Sequence, residues 1–131
     1  MEDAECLFVR LGGRGVLEKF VDMLFRKVLA DPALSIFFKG VSMDRHTNHL
    51  VAFFKILFDI TSAYGKFNVE AMAVAHAQLI REKGVGLEQF DQIVRMMEES
   101  FLEVDILPDL VEEAKSLLVT LRPAFDPSKK R

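Results

Sequence analysis

The sequence holds a single cysteine, Cys6. One cysteine excludes an intrachain disulfide, and the lack of a Cys pair excludes a zinc ribbon or an iron–sulfur motif. No apolar run approaches the ~20 residues that a membrane-spanning helix needs, so no membrane partner is expected. No basic face stands out. Lys and Arg number 17 against 20 Asp and Glu, the net charge is -3, and the basic cluster is the terminal Lys129-Lys130-Arg131. Nucleic acid is therefore not an expected partner. The start of the chain, Met1-Glu2-Asp3-Ala4-Glu5, is acidic. It lacks the basic region of a secretory signal and the Arg-rich look of a transit peptide, and the expectation is a soluble, cytoplasmic protein. Strand-type alternation, internal repeats and linkers are also missing.

What is present is apolar and helical. Of the 131 residues 50% are hydrophobic and 12 are Phe, which suits one domain around one sizeable core. The turn Leu11-Gly12-Gly13 joins a short first helix to a second. There Val16, Phe20, Leu24 and Val28 recur every four residues, with Val21, Phe25 and Leu29 beside them. Asp31-Pro32 stops that helix and starts a short one, Asp31 as its cap and Pro32 in its first turn. Phe37 and Phe38 precede a stop at Gly40. Ser42 suits the N-cap of the next helix, whose stripe runs Leu50, Phe53, Phe54, Leu57.

Thr61 to Lys66 reads as a loop. A helical pattern resumes near Val69 through Met72, His76 and Leu79 to Ile80, and Gly84 and Gly86 break it. Leu87, Phe90, Ile93, Val94, Met97 and Phe101 mark a long amphipathic helix. Pro108 opens the last helix, with Asp109, Glu112 and Glu113 near its positive end. Leu110, Val111, Leu117, Leu118 and Leu121 follow, and Pro123 ends it. The expectation is an all-α single domain over residues 1–131, with its core over about 7–122 and a flexible tail over 124–131.

The chain has three histidines, and two of them fall in one short stretch, Met43-Asp-Arg-His-Thr-Asn-His-Leu50. His46 lies four before Leu50, and His49 lies four before Phe53. Both sit on or at the edge of the core-facing stripe. A histidine beside such a stripe is ordinarily a hydrogen-bonded structural residue, and a Phe-rich stripe is ordinarily plain core. A haem-free helical interaction domain is therefore the competing reading. Zinc fits poorly: His46-x-x-His49 is not the i, i+4 pair of a metalloprotease helix, and no Glu lies between them. Haem fits better. It needs one axial His, a flat apolar slot and control of the opposite iron face. His76 stands at helical spacing from Met72 and from Leu79 and Ile80, apolar neighbours for a macrocycle edge, and a neutral imidazole can bind iron.

Several pieces, taken in order, resemble the truncated haemoglobins, the 2-on-2 globins, and their group I most. Leu11-Gly12-Gly13 resembles the family's first glycine turn. Val21-Asp22 and Val28-Leu29-Ala30-Asp31-Pro32 resemble its B helix and the corner after it. Phe37-Phe38, Met43-Asp44-Arg45 and Ala52-Phe53 resemble the CD corner and E helix. Met72-Ala73-Val74-Ala75-His76 resembles the stretch with the proximal ligand, and Phe90-Asp91 with Val94 resembles the start of the G helix. The resemblance covers about Leu7 to Leu121. It implies a 2-on-2 helical sandwich around haem b, iron protoporphyrin, with His76 as proximal iron ligand and Phe38 packed on the haem. Phe25 and Leu50 sit where the family often has a distal Tyr and Gln. Phe54 matches a Phe associated with a ligand tunnel. Phe53, Met72, Leu79 and Val94 complete the expected haem-binding set. The family's second glycine motif is replaced here by Ile60-Thr61-Ser62-Ala63-Tyr64-Gly65. The last helix has no His, so no covalent haem link is expected there.

The resemblance further implies binding of oxygen, nitric oxide and carbon monoxide opposite His76. The polar distal residues are then His46 and His49. Either one donates an N–H to the gas or itself binds iron as an internal sixth ligand. Helical geometry separates them by ~60°, so only one aims well. Nitric oxide dioxygenase activity, with a reductase to restore ferrous iron, is the enzyme role the resemblance implies. Its primary role is gas binding, as a monomer or weak dimer.

Overall fold

The helix boundaries of this chain follow the punctuation in its sequence. The computed structural model describes residues 7–59, 76, 77, 80 and 83–126. Helix α1 (Leu7–Arg10) ends at a glycine turn, and α2 (Gly13–Ala30) starts directly after it. Gly12 has φ of 120°, and a Cβ there would meet Val16 Cγ2 at 2.5 Å, so only glycine suits the position. Asp31 closes α2 and caps α3 (Pro32–Ser35): its carboxylate accepts the Ala33 N–H at 2.9 Å. Pro32 fills the first turn, where a missing N–H costs nothing. A 3-10 turn over Ile36–Phe38 follows. Helix α4 (Met43–Asp59) begins at Ser42, whose carbonyl accepts the His46 N–H at 2.9 Å.

Gly86 precedes α5 (Leu87–Glu103), and its N–H donates to Gln89 Oε1 at 2.8 Å. Helix α6 (Pro108–Val119) is shorter than the expected run to Pro123. Proline has no N–H to give the Val119 carbonyl, so the α pattern cannot continue through residue 123. The chain tightens instead, with Leu121 N–H donating to Leu118 O at 3.0 Å. Pro123 then lies in the first turn of a second 3-10 turn, Arg122–Phe125. Among the described residues there is no strand, in line with the all-α expectation. Among them, too, no helix is long and apolar enough to cross a membrane.

Helices α2 and α4 pack on each other, as do α5 and α6, and α2 crosses onto α5 to join the two pairs. The junction is aromatic. Phe20 of α2 stacks on Phe101 of α5 with centroids 3.9 Å apart and planes 2° from parallel. Phe54 of α4 meets Phe20 edge-on at 5.2 Å, and Phe58 continues the cluster toward Phe101 at 6.0 Å. All four rings are buried, so their apolar area is removed from water on folding, the main favourable term in the core.

At Ala124 and Phe125 the expectation about the end of the chain is corrected. Residues 124–131 read as a flexible tail, yet Ala124 is fully buried and Phe125 packs against the core. The 3-10 turn carries the chain back onto α5, which a helix ending in a free tail would not do. Residues 127–131 lie outside the described residues, as do the loop expected at Thr61 to Lys66 and most of the helical pattern from Val69 to Ile80. Within that pattern the His76 carbonyl accepts the Ile80 N–H at 3.0 Å, a helical bond.

Candidate functional site

Three elements converge on His46. Helix α4 carries it, α2 supplies Phe25, and the Ile36–Phe38 turn supplies Phe38. The His46 ring lies 5.1 Å from Phe25 and 5.3 Å from Phe38, and those two Phe rings meet edge-on at 6.0 Å. His46 is half-buried in this corner. His49, three residues on, is exposed, with its ring 6.4 Å from that of His46. The stripe thus turns one histidine inward and leaves the other at its solvent edge. Leu50 and Phe53 are half-buried against the core, and Phe54 is fully buried within it.

His76 stands in a second aromatic corner. Its ring lies 5.0 Å from Phe125, and Phe125 lies 5.0 Å from Phe90 of α5. Val94, one turn beyond Phe90, is buried yet stands outside the main core cluster. Met72 and Leu79, expected beside His76, lie outside the described residues. Phe90 and Phe125 were not singled out in the sequence as neighbours of His76. The available signal was the apolar pair Ala124-Phe125 after Pro123.

Together the two corners hold two histidines and four Phe rings. Burial lowers the His46 pKa below the ordinary 6.5 of histidine, and the charges of His49 and then His76 lower it further. At neutral pH His46 is an uncharged imidazole with one N–H donor and one lone pair.

Such a set of groups has the chemistry that haem requires. Haem brings its own four nitrogens, so the protein must add one axial nitrogen and flat apolar walls. His76, Phe25, Phe38 and Phe125 are of those types. A bare metal ion needs a fuller donor set. Among the described residues, no group of three or more His, Cys, Asp and Glu is placed to hold one.

The sequence profile of the bacterial-like globin family matches residues 6–125. The chain is a bacterial-like globin. This globin is 33% identical to the group 1 truncated hemoglobin GlbN of Nostoc commune over 95 residues, 71% of the chain and 73% of that relative. Its fold is similar to THB4 from Chlamydomonas reinhardtii, with a TM-score of 0.82 and 30% identity, covering 95% of the chain and 98% of THB4. It is also similar to the 2/2 hemoglobin of a Synechococcus species, solved in the cyanomet state with covalently attached heme. That pair has a TM-score of 0.80 and 26% identity, over 92% of the chain and 97% of the neighbour. The globin is thus a truncated haemoglobin of the 2-on-2 fold, its cofactor is haem, and it binds diatomic gas. The haem-free interaction domain, the competing reading of the sequence, is overturned by that membership.

Proposed function

We propose that this globin holds haem through His76 and takes up oxygen, nitric oxide or carbon monoxide on the side of His46. The observation that carries the reading is the His46 ring seated between Phe25 and Phe38. When bound, haem would supply an iron centre that can bind a diatomic gas, with His76 the residue to hold it.

The chain's own residues do the rest. His76 offers a ring nitrogen from an imidazole packed on Phe125. Phe25 and Phe38 keep water from the inner face of His46, and a drier site strengthens any hydrogen bond made there. Phe25 and Leu50 carry no donor, so among the described residues of this corner His46 is the polar group aimed inward. A hydrogen bond to a charged acceptor is worth ~1.5–3 kcal/mol, or roughly 10- to 150-fold in retention of the gas.

A second reading uses the same atom differently. The lone pair of a neutral His46 suits it as an internal iron ligand, which must leave before gas enters. Apparent affinity then falls by the open fraction. His49 reaches that position only by turning its exposed ring inward. Nitric oxide dioxygenase activity adds one demand, a reductase to keep iron ferrous, and a reducing cytoplasm fits that need.

The test is the visible spectrum of the reduced, haem-loaded protein without gas, for the wild type and for His76→Gly. Loss of the wild-type spectrum in His76→Gly supports the reading, and an unchanged spectrum rejects it. Split low-spin bands in the wild type select the internal ligand. A single broad high-spin band selects the open site with His46 as donor.

A further inference from the structure

Arg122 and Asp91 form a two-pronged ion pair that none of the roles above uses. Arg122 Nε donates to Asp91 Oδ1 at 2.8 Å, and Arg122 Nη2 donates to Asp91 Oδ2 at 2.8 Å. This is the parallel fork in which a guanidinium fixes direction as well as distance. Asp91 directly follows Phe90 on α5, and Arg122 begins the 3-10 turn that ends in Phe125. In a 3-10 turn residues i and i+3 eclipse, so Arg122 and Phe125 leave the turn on one edge. Two contacts therefore tie that edge to α5: the fork, and the Phe125 ring on Phe90 at 5.0 Å. Phe125 then touches His76 at 5.0 Å with the ring planes 58° apart. Ala124 between them is fully buried and leaves the turn no slack.

We propose that Arg122 and Asp91 are positioning residues for His76. Their fork sets the rotation of the Arg122–Phe125 turn, and through Phe125 the orientation in which the His76 ring meets the haem iron. The inference rests on the reading of His76 as the iron ligand. The fork is suited to the task because it stays charged. Hydrogen bonds from Arg122 hold the Asp91 carboxyl below its ordinary value, and Asp126 adds negative charge toward Arg122 from the far end of the turn. Its side chains are 42% and 40% exposed, so its worth lies in direction more than in stability.

The test compares Asp91→Asn, Arg122→Leu and Phe125→Leu with Arg10→Leu in the haem-loaded protein. Arg10 makes an equally good fork with Glu113, at 2.8 and 2.9 Å, between α1 and α6. Two quantities are read: the iron–histidine stretching band in the resonance Raman spectrum of the reduced protein, taken in the His46→Leu background so that His46 cannot occupy the sixth position, and the rate of haem transfer to an excess of acceptor globin. The expected result is a shifted band in the first three variants, with haem loss faster by up to about fivefold in Asp91→Asn and Arg122→Leu, the upper range for an exposed ion pair. Arg10→Leu is expected to lower thermal stability and leave the band in place.

An unmoved band in Asp91→Asn or Phe125→Leu overturns the proposal, and so does an equal shift in Arg10→Leu. Asp91→Asn keeps the size and shape of the side chain, so it carries the test where Arg122→Leu does not fold. His76→Gly separates the two layers of inference. If its band disappears and returns with added imidazole, while the fork variants stay as wild type, the His76 reading stands and the fork proposal falls. If the band survives in His76→Gly, the ligand reading itself falls and takes the proposal with it.

Discussion

The Phe25 ring stands 5.1 Å from the His46 ring, and Phe38 flanks the same imidazole at 5.3 Å. One polar group, on α4, is thus held between two apolar rings from elements well separated in sequence. Among the described residues around Phe25 and Phe38, the inward-facing polar chemistry rests on that imidazole.

Replacing His46 with Leu removes that donor. Oxygen loss is expected to rise by roughly 10- to 150-fold, the range of one hydrogen bond to a charged acceptor. Stopped-flow displacement by carbon monoxide reads it. The exposed His49→Leu is expected to change the rate far less. An unchanged rate in His46→Leu would remove His46 from the donor role.

Phe25→Tyr places a hydroxyl beside His46. Phe25 is only 6% exposed, so the new O–H must find a partner inside the site or pay the cost of burial. With bound gas as that partner, oxygen loss slows by about 2- to 13-fold, the worth of one ordinary hydrogen bond. A faster loss would show that the hydroxyl pairs with His46 and withdraws its donor.

The lowered pKa of His46 has a definite sign in folding. The unfolded chain protonates this histidine near 6.5, and the folded chain does so only at lower pH. Below 6.5 the unfolded state therefore binds more protons, and stability falls as pH falls toward and through the folded-state value. Above 6.5 both states are neutral and the effect vanishes. Urea midpoints of the haem-free protein between about pH 7.5 and about pH 5.5 should decline, because histidine titrates in that range. The decline should flatten in His46→Leu. The same slope in both proteins would assign it to other groups.

Phe20 and Phe101 join the two helix pairs, stacked at 3.9 Å and both buried. Phe101→Ala leaves a ring-sized void at that junction and should cost ~3–5 kcal/mol of unfolding free energy. Urea denaturation measures it. A loss under ~1 kcal/mol would mean that Phe58 and Phe54 collapse into the space, since the cost depends on how well a site can close.

Much of this was legible because it is local. Gly12, the Asp31-Pro32 pair, Ser42, Gly86 and Pro108 mark helix ends through φ preference and capping, which act within a few residues. The spacing of Val16, Phe20, Leu24 and Val28 shows which face of α2 is buried, and Phe20, Leu24 and Val28 are indeed in the core. The resemblance that pointed to His76 rests likewise on short pieces in order. The end of α6 was misjudged by a few residues, because Pro123 acts on the carbonyl four positions before it and the helix closes early.

Periodicity and composition are enough to show an all-α chain with a Phe-rich core and three histidines, two of them at the edge of one apolar stripe. Those properties follow from periodicity, capping and composition, which need no partner in space. Tertiary structure decided which of two neighbouring histidines faces inward. His46 and His49 differ by ~60° on one helix, and both fit the edge of the same stripe. Phe25 and Phe38, brought in from other elements, half-bury one ring and leave its neighbour exposed. Tertiary structure also seated Phe125 on His76. That contact depends on a 3-10 turn folding back onto α5 and on a fork between residues 31 positions apart, and neither has a period to read.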